Sequence, residues 1–157
     1  MQKHDSLTGL LSLDFFMDEL DAAVALRAPV ALVLAEVDDF KAITGFHGEE
    51  IGEAVIRAVA AAMDKPQAVV ARGQDSEFVA LLIGVDRDTA EQYCWQVNAE
   101  LAERTIIDFR LRIRVKPVLN IGLAGDRDGG KSVLELLRGA HMDLKQAREI
   151  WRWRQAG

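Results

Sequence analysis

The chain has 157 residues, of which 50% are hydrophobic and 28% charged, and it contains a single cysteine. This length and composition predict one globular domain, 1–157, with its own core, and they exclude a disordered tail, a collagen-like chain, a disulfide scaffold and a membrane span. The net charge of −6 is divided between an acidic stretch, 1–103 at −12, and a basic stretch, 104–157 at +6, which suggests that the two face each other or that the basic one meets an anion.

Hydrophobic periodicity and turn residues divide the first half of the chain into helices and strands. The predicted elements are a helix over 7–26, a strand over 29–37, helical segments over 40–43 and 49–63, and strands over 67–72 and 77–84. The last two strands flank a short polar segment that contains Gly73, so they are expected to form a hairpin.

The second half continues with a predicted helix over 86–104, two strands within 105–124 and a final helix that begins at Ser132. Glu135 lies three residues after Ser132, which predicts a capping box. Alternation over 110–116 places four cations on one face of a half-exposed strand. The order of elements predicts an α/β domain with a mixed central sheet flanked by helices.

Acidic residues lie at the carboxyl end of the strand over 29–37. They are Glu36, Asp38 and Asp39, and carboxylates in such a place can hold Mg²⁺, a cation that prefers hard oxygen ligands. Solvated turn residues show the same pattern, so spacing alone leaves both interpretations open. The hairpin tip with Asp75 and Glu77 is, taken alone, an ordinary polar turn.

Two patterns in the basic stretch have an ordinary structural interpretation. Residues 125–132 match the phosphate-binding pattern G-x-x-x-x-G-K-S, but aspartates inside the loop would repel phosphate and Ser132 is already explained as a helix cap. The tail around Trp151 and Arg152 alternates aromatic and cationic residues, which can stack on bases but more often pack on their own domain.

Six segments resemble, in order, the motifs of the GGDEF family, the diguanylate cyclase domains of bacterial second-messenger signalling. They are residues 5–10 with D-x-L-T-G-L, 36–41 with D-[IL]-D-x-F-K, 48–53 with G-H-x-x-G-D, 71–78 with the signature hairpin, 121–124 with S-I-G-V-A, and 136–148 with L-L-R-x-A-D…A-K. Several ordered motifs are more specific than any one of them, and the resemblance covers essentially the whole chain.

The resemblance implies a fold related to the palm of nucleotide cyclases. It also implies an activity in which two facing domains, each holding GTP with Mg²⁺, make cyclic di-GMP. In that reaction a 3′-hydroxyl attacks an α-phosphate, and metal ions neutralise the charge that develops. A cytoplasmic location, within a larger signalling protein, is expected for such a domain.

The residues at the implied metal site have changed. The resemblance places the metal on Glu36, on the backbone carbonyl of Val37 and on the acidic third residue of the signature, which here is Ser76. A serine supplies neither the negative charge nor a base for the hydroxyl. The five signature positions are Gln74, Asp75, Ser76, Glu77 and Phe78. Both glycines that would let the backbone approach phosphate are therefore missing as well.

The positions that the resemblance assigns to nucleotide contacts are partly retained. They are Lys41, Thr44, Glu53, Arg148 and Arg152. The lysine and the two arginines keep a positive charge for phosphate, whereas Thr44 and Glu53 replace the Asn and Asp that contact guanine. A carboxylate can still accept from guanine, but threonine makes a shorter and different contact.

Two further points concern the hairpin and its upstream segment. A one-residue shift, in which Ser76 is an insertion and Asp75 takes the place of the acid, is left open. The product-inhibition site R-x-x-D would fall between Lys65 and Ala68, where its aspartate is absent. High-affinity feedback by product is therefore not expected.

The sequence thus predicts a degenerate member of this family that does not make cyclic di-GMP. It is expected to be a regulatory or partner-binding module that retains GTP as an optional ligand, with Mg²⁺ only when nucleotide is bound. The alternatives are a weakly active cyclase and a nucleotide-free dimerisation scaffold. Expected partners are GTP, other signalling domains or proteins and a second copy, with no nucleic acid and no membrane contact.

Overall fold

A computed structural model describes the protein over residues 2–156, with side chains over 2–149. Within this range the strands are β1 (Leu11–Ser12), β2 (Val30–Val37), β3 (Val69–Arg72), β4 (Glu77–Ile83), β5 (Ile106–Asp108), β6 (Ile113–Val115) and β7 (Leu119–Asp126). The helices are α1 (Leu13–Ala25), α2 (Phe40–His47), α3 (Glu49–Met63), α4 (Arg87–Glu103) and α5 (Val133–Ala156). None of these helices is both long and apolar enough to cross a bilayer.

The central sheet has five strands in the order β1-β3-β4-β2-β7. Strand β2 lies inside the sheet and pairs antiparallel with β4 and with β7, whereas β1 pairs parallel with β3. Strands β5 and β6 form a separate antiparallel pair. The predicted mixed α/β sheet and the hairpin of β3 and β4 are confirmed.

Helices cover both faces of this sheet, and the alternation of β2 decides which face each side chain meets. Val30, Leu32 and Leu34 pack with residues of α1 and α5, whereas Ala31 and Val33 pack with residues of α3 and α4. The same alternation directs the side chain of residue 36, at the carboxyl end of the strand, towards the α5 face.

Helix α5 lies unusually close to β7. A Cβ atom added at Gly122 would lie 2.2 Å from the carbonyl oxygen of Ala140 and 2.4 Å from the nitrogen of Leu144, so only glycine fits there. The Leu123 N–H donates to the carboxylate of Asp143 at 2.7 Å, which fixes the register of the helix along the strand. Ser132 and Glu135 form the predicted capping box at the start of the helix.

The first helix is shorter than predicted. It begins at Leu13 instead of residue 7, because the Asp5 carboxylate accepts from the backbone N–H of Thr8 at 3.0 Å and from its hydroxyl at 2.7 Å. This pattern stabilises a turn in competition with a helix. Gly9 follows with a φ of +74°, and the short strand β1 then pairs with β3.

The predicted alternating strand over 110–116 is wrong. The Asp108 carboxylate accepts from the backbone N–H groups of Arg110 and Leu111, and Arg112 has a φ of +56°. Residues 109–112 therefore form a turn, and only Ile113–Val115 are extended. As a result, the cations of this segment do not share one face of a strand.

Candidate functional site

The candidate site lies at the carboxyl end of β2, on the face covered by α5. Glu36 is directly opposite Glu77 of β4 on one side and Asn120 of β7 on the other. The two glutamates are cross-strand neighbours on the same face, an arrangement that is destabilising for like charges unless a cation lies between them.

Arg148 supplies a cation at this point. Its Nε and Nη2 groups donate to the two carboxylate oxygens of Glu36, the second at 2.6 Å. The hydrogen bonds that Arg148 donates to Glu36 raise the pKa of Arg148, against the opposing effect of partial burial, and the charges of Glu36, Glu77 and Asp38 act in the same direction as the hydrogen bonds. The pair joins the acidic and basic stretches of the chain, as the charge distribution suggested.

The residues after β2 are arranged by local contacts. The Asp38 carboxylate accepts from the side-chain amide of Asn120 at 3.1 Å, and the Asp38 N–H donates to the carbonyl of Val118. Asp39 has a φ of +49° and precedes α2, whose first turn carries the exposed side chain of Lys41. Sequence reasoning did not single out Asn120, although a lone amide in an apolar strand is a signal for it.

The hairpin tip is held mainly through its backbone. The Gly73 N–H donates to the Glu77 carbonyl at 2.8 Å, and the Ser76 carbonyl accepts from the Val37 N–H at 3.2 Å. Asp75 has a φ of +53°, in the left-handed region that glycine adopts more readily. The side chains of Gln74 and Asp75 are exposed, whereas that of Ser76 is half-buried.

Arg72 connects this tip to the N-terminal turn. Its Nε and Nη2 groups donate to the Asp75 carbonyl at 3.2 and 2.6 Å, and its Nη1 donates to the Asp5 carboxylate at 3.3 Å. The guanidinium carbon also lies 5.9 Å from the centre of the ring of the buried Phe78. Partial burial alone would raise the pKa of Asp5, but the hydrogen bonds from Thr8 and the charge of Arg72 outweigh it and lower the pKa.

The donor set does not fit a divalent cation in this arrangement. Both carboxylate oxygens of Glu36 accept from Arg148, the carboxylate of Asp38 faces Asn120, and residue 76 offers a hydroxyl. Among the described residues, no three His, Cys, Asp or Glu side chains are grouped in a way that would hold a metal ion. Mg²⁺ needs near-octahedral oxygen ligands, which this set does not supply.

The positions predicted to contact guanine lie beside each other. The Thr44 methyl group faces Gly52, since a Cβ added at that glycine would lie 2.6 Å from it, and the Thr44 hydroxyl donates to the Lys41 carbonyl at 3.1 Å. Glu53 follows Gly52 and forms an exposed pair with Arg57 at 3.8 Å. The structure therefore brings Lys41, Thr44 and Glu53 to the region where α2 and α3 meet.

Three other predicted segments lie apart from the candidate site at the end of β2 or have side chains outside the described residues. Lys65 pairs with Glu100 of α4, away from the hairpin tip. The Lys131 side chain donates to the Gly125 carbonyl at 2.9 Å, so the loop over 125–132 closes on itself. The side chains of Arg152 and of the tryptophans around it lie outside the described residues.

Two features escaped the sequence analysis. His47 donates from Nδ1 to the buried Asp108 carboxylate at 2.8 Å, and this hydrogen bond leads the contacts that lower the pKa of Asp108. A cavity of about 520 Å³ lies between α4, β7 and α5, with Cys94 and Trp95 in its wall. Burial raises the pKa of the Cys94 thiol to about 12.

Comparison with known proteins identifies the relatives of this chain. A family model described as “Diguanylate cyclase, GGDEF domain” matches residues 2–153. The probable diguanylate cyclase DgcT of Escherichia coli (strain K12) is 26% identical over 153 residues, which cover 94% of this chain and 34% of DgcT. The chain therefore spans about a third of the length of this relative.

Solved structures show the same fold. The GGDEF domain of FimX from Pseudomonas aeruginosa matches with a TM-score of 0.85 at 22% identity, covering 95% of this chain and 96% of that one. The GGDEF domain of DgcB from Caulobacter crescentus, solved in complex with c-di-GMP, matches with a TM-score of 0.86 at 22% identity, covering 95% and 91%. The cyclase-like fold predicted from the sequence is thereby confirmed.

Proposed function

The chain belongs to the GGDEF domain family, and on that premise we propose that it is a catalytically inactive member that acts as a regulatory or partner-binding module in cyclic di-GMP signalling. The observation that carries the proposal is the pairing of Glu36 with Arg148. Of the two side chains that the resemblance assigns to metal binding, one is thus held in an ion pair and the other, Ser76, is a hydroxyl.

The chemistry of the family explains why these changes oppose turnover. Attack of a 3′-hydroxyl on an α-phosphate needs a group that takes up the proton and a cation that stabilises the leaving pyrophosphate. The hydroxyl of Ser76 is too weak a base for the first task. The side chain of Asp75 adds bulk and negative charge where phosphate would approach, which opposes the binding of the substrate itself.

A cyclase assay on the purified protein tests this proposal. We expect no cyclic di-GMP above background after incubation with GTP and either Mg²⁺ or Mn²⁺, measured by mass spectrometry. A matched variant restores the family letters by combining Glu36→Asp, Gln74→Gly, Asp75→Gly and Ser76→Asp. Product formation by the unmodified protein, abolished in Glu36→Ala, would instead establish the weakly active cyclase.

Retention of GTP without turnover is a second candidate, favoured by the position of Lys41. Its exposed side chain lies in the first turn of α2, shortly after the end of β2, while Thr44 lies on the next turn of α2 and Glu53 lies in the first half of α3. We expect isothermal titration to detect GTP binding that Lys41→Ala weakens by about tenfold, roughly 1.4 kcal/mol. Lys145→Ala, an equally exposed change on α5, is the control and should leave affinity unchanged.

The scaffold alternative predicts a different pair of results. A nucleotide-free dimerisation domain would show no heat of GTP binding, with or without Mg²⁺, and a concentration-dependent mass in sedimentation. A monomer that binds GTP excludes this alternative, whereas a dimer without GTP binding excludes the second candidate.

A further inference from the structure

Glu36, near the carboxyl end of β2, and Glu77, the first residue of β4, place two negative charges side by side, and a nearby positive charge would stabilise this arrangement. Glu36 and Glu77 are register partners on one face of the sheet, and Asp38 follows two residues later. The side chain of Glu36 is only 17% exposed, so water screens its charge incompletely. Three carboxylates in this space attract either a bound cation or a cationic side chain.

A cationic side chain is built into the fold at this point. Arg148 contacts both oxygens of Glu36 with the planar, two-pronged geometry that makes guanidinium–carboxylate pairs directional. The packing of α5 sets the position of Arg148. Leu144, one turn earlier, is buried in the core, and the Asp143 carboxylate accepts from the Leu123 N–H of β7. The helix therefore delivers the guanidinium to the end of β2.

We propose that Arg148 is the resident cation of this carboxylate cluster, and that it takes the place of a divalent metal ion in the cleft. The inference goes beyond the proposed regulatory function, since it concerns which cation the cleft accepts, whatever partner the domain serves. To bind Glu36, a divalent ion would have to break the two charge-assisted hydrogen bonds that Arg148 donates to it. The ion would then also be repelled by the nearby positive charge of Arg148.

The proposal predicts that removing the guanidinium creates a metal site. Arg148→Gln leaves Glu36, and its register partner Glu77, without the guanidinium, and Mg²⁺ or Mn²⁺ can be held by one or two carboxylates while keeping several waters. Arg148→Lys keeps a positive charge near the cluster and should not bind metal. Arg138→Gln is the matched control, because it makes the same chemical change at an exposed position of the same helix.

Mn²⁺ binding, measured by electron paramagnetic resonance on the purified protein, tests the proposal. We expect no stoichiometric binding by the unmodified protein, by Arg148→Lys or by Arg138→Gln. Arg148→Gln should bind Mn²⁺ at least tenfold more tightly than the unmodified protein. The double variant Glu36→Gln with Arg148→Gln should lose most of that gain, since it removes the carboxylate that the arginine covered.

Two results would overturn the proposal. One is stoichiometric Mn²⁺ binding by the unmodified protein, a measurement that needs no variant to fold. The other is a folded Arg148→Gln protein, verified by circular dichroism, whose Mn²⁺ affinity equals that of Arg138→Gln. Neither depends on the cyclase assay, so loss of the proposed regulatory function and loss of this inference are separate outcomes.

Discussion

Arg72 contacts two regions of the molecule, one through a side chain and the other through the backbone. In the N-terminal turn its partner is the carboxylate of Asp5, which also accepts from Thr8. In the hairpin tip its partner is the backbone carbonyl of Asp75. The turn keeps the residues of its family motif, whereas Gln74, Asp75 and Ser76 stand where the resemblance, without the one-residue shift, places two glycines and an acidic residue.

This difference predicts that the tip tolerates substitution better than the turn. Every amino acid carries a carbonyl, so the contacts that hold the tip survive substitution of Gln74, Asp75 and Ser76. The turn depends on a carboxylate and a hydroxyl at defined positions, and replacing either removes the bond itself. We therefore expect the fold to be insensitive to the side chains of the tip and sensitive to those of the turn, and the next experiments test that separation.

The largest effect is expected at a buried position that, like the turn, depends on one residue type. Gly122→Ala places a methyl group against the backbone of Ala140 and Leu144. The clash can be relieved only if α5 moves away from β7. We expect a loss of about 3 kcal/mol or more in urea unfolding, at the upper end of overpacking costs. Gly45→Ala, where the added methyl group meets nothing, is the control and should be neutral or stabilising.

Removing the Asp5 carboxylate from the N-terminal turn should have the next largest effect on stability. Asp5→Ala deletes the acceptor for Thr8 and for Arg72, so we expect a loss of about 2 kcal/mol in urea unfolding. Asp75→Ala is the matched change in the tip, since it leaves the carbonyl that Arg72 contacts. Equal losses in the two variants would contradict the distinction between side-chain and backbone contacts.

Lowering the pH should remove part of the stabilisation that the Asp5 carboxylate provides. The folded-state pKa of Asp5 lies below its ordinary value of 3.8, so its carboxylate stabilises the fold above that pH. That stabilisation is lost as the pH falls through the folded-state pKa. The difference in unfolding free energy between the unmodified protein and Asp5→Asn should therefore be constant near neutral pH and shrink below pH 3.8. A difference that persists unchanged at lower pH contradicts this assignment.

The smallest effect is expected in the tip itself. Asp75→Gly relieves a left-handed backbone conformation at the cost of greater freedom in the unfolded chain, so we expect a change within about 1 kcal/mol, in the stabilising direction. Ser76→Asp should change stability by less than about 0.5 kcal/mol, as is usual for substitutions away from the core. Thermal unfolding measures both, and a large loss in either would show that tip side chains support the fold.

Much of this architecture could be predicted from local sequence patterns. The apolar run of β2, the hairpin and the capping box at Ser132 each depend on neighbouring residues, and the structure contains all three. The errors occur where a polar side chain captured nearby backbone groups. Asp5 replaced the first turns of the predicted helix with a turn, and Asp108 did the same to the predicted strand over 110–116.

The sequence by itself determined the family and the order of the main elements. Only the tertiary structure decided that the cation facing Glu36 is Arg148, which lies 112 positions away along the chain. That pairing depends on how closely α5 approaches β7 at Gly122, and on the register set by Asp143. Because such contacts join distant segments through packing, no local pattern of residues could reveal them.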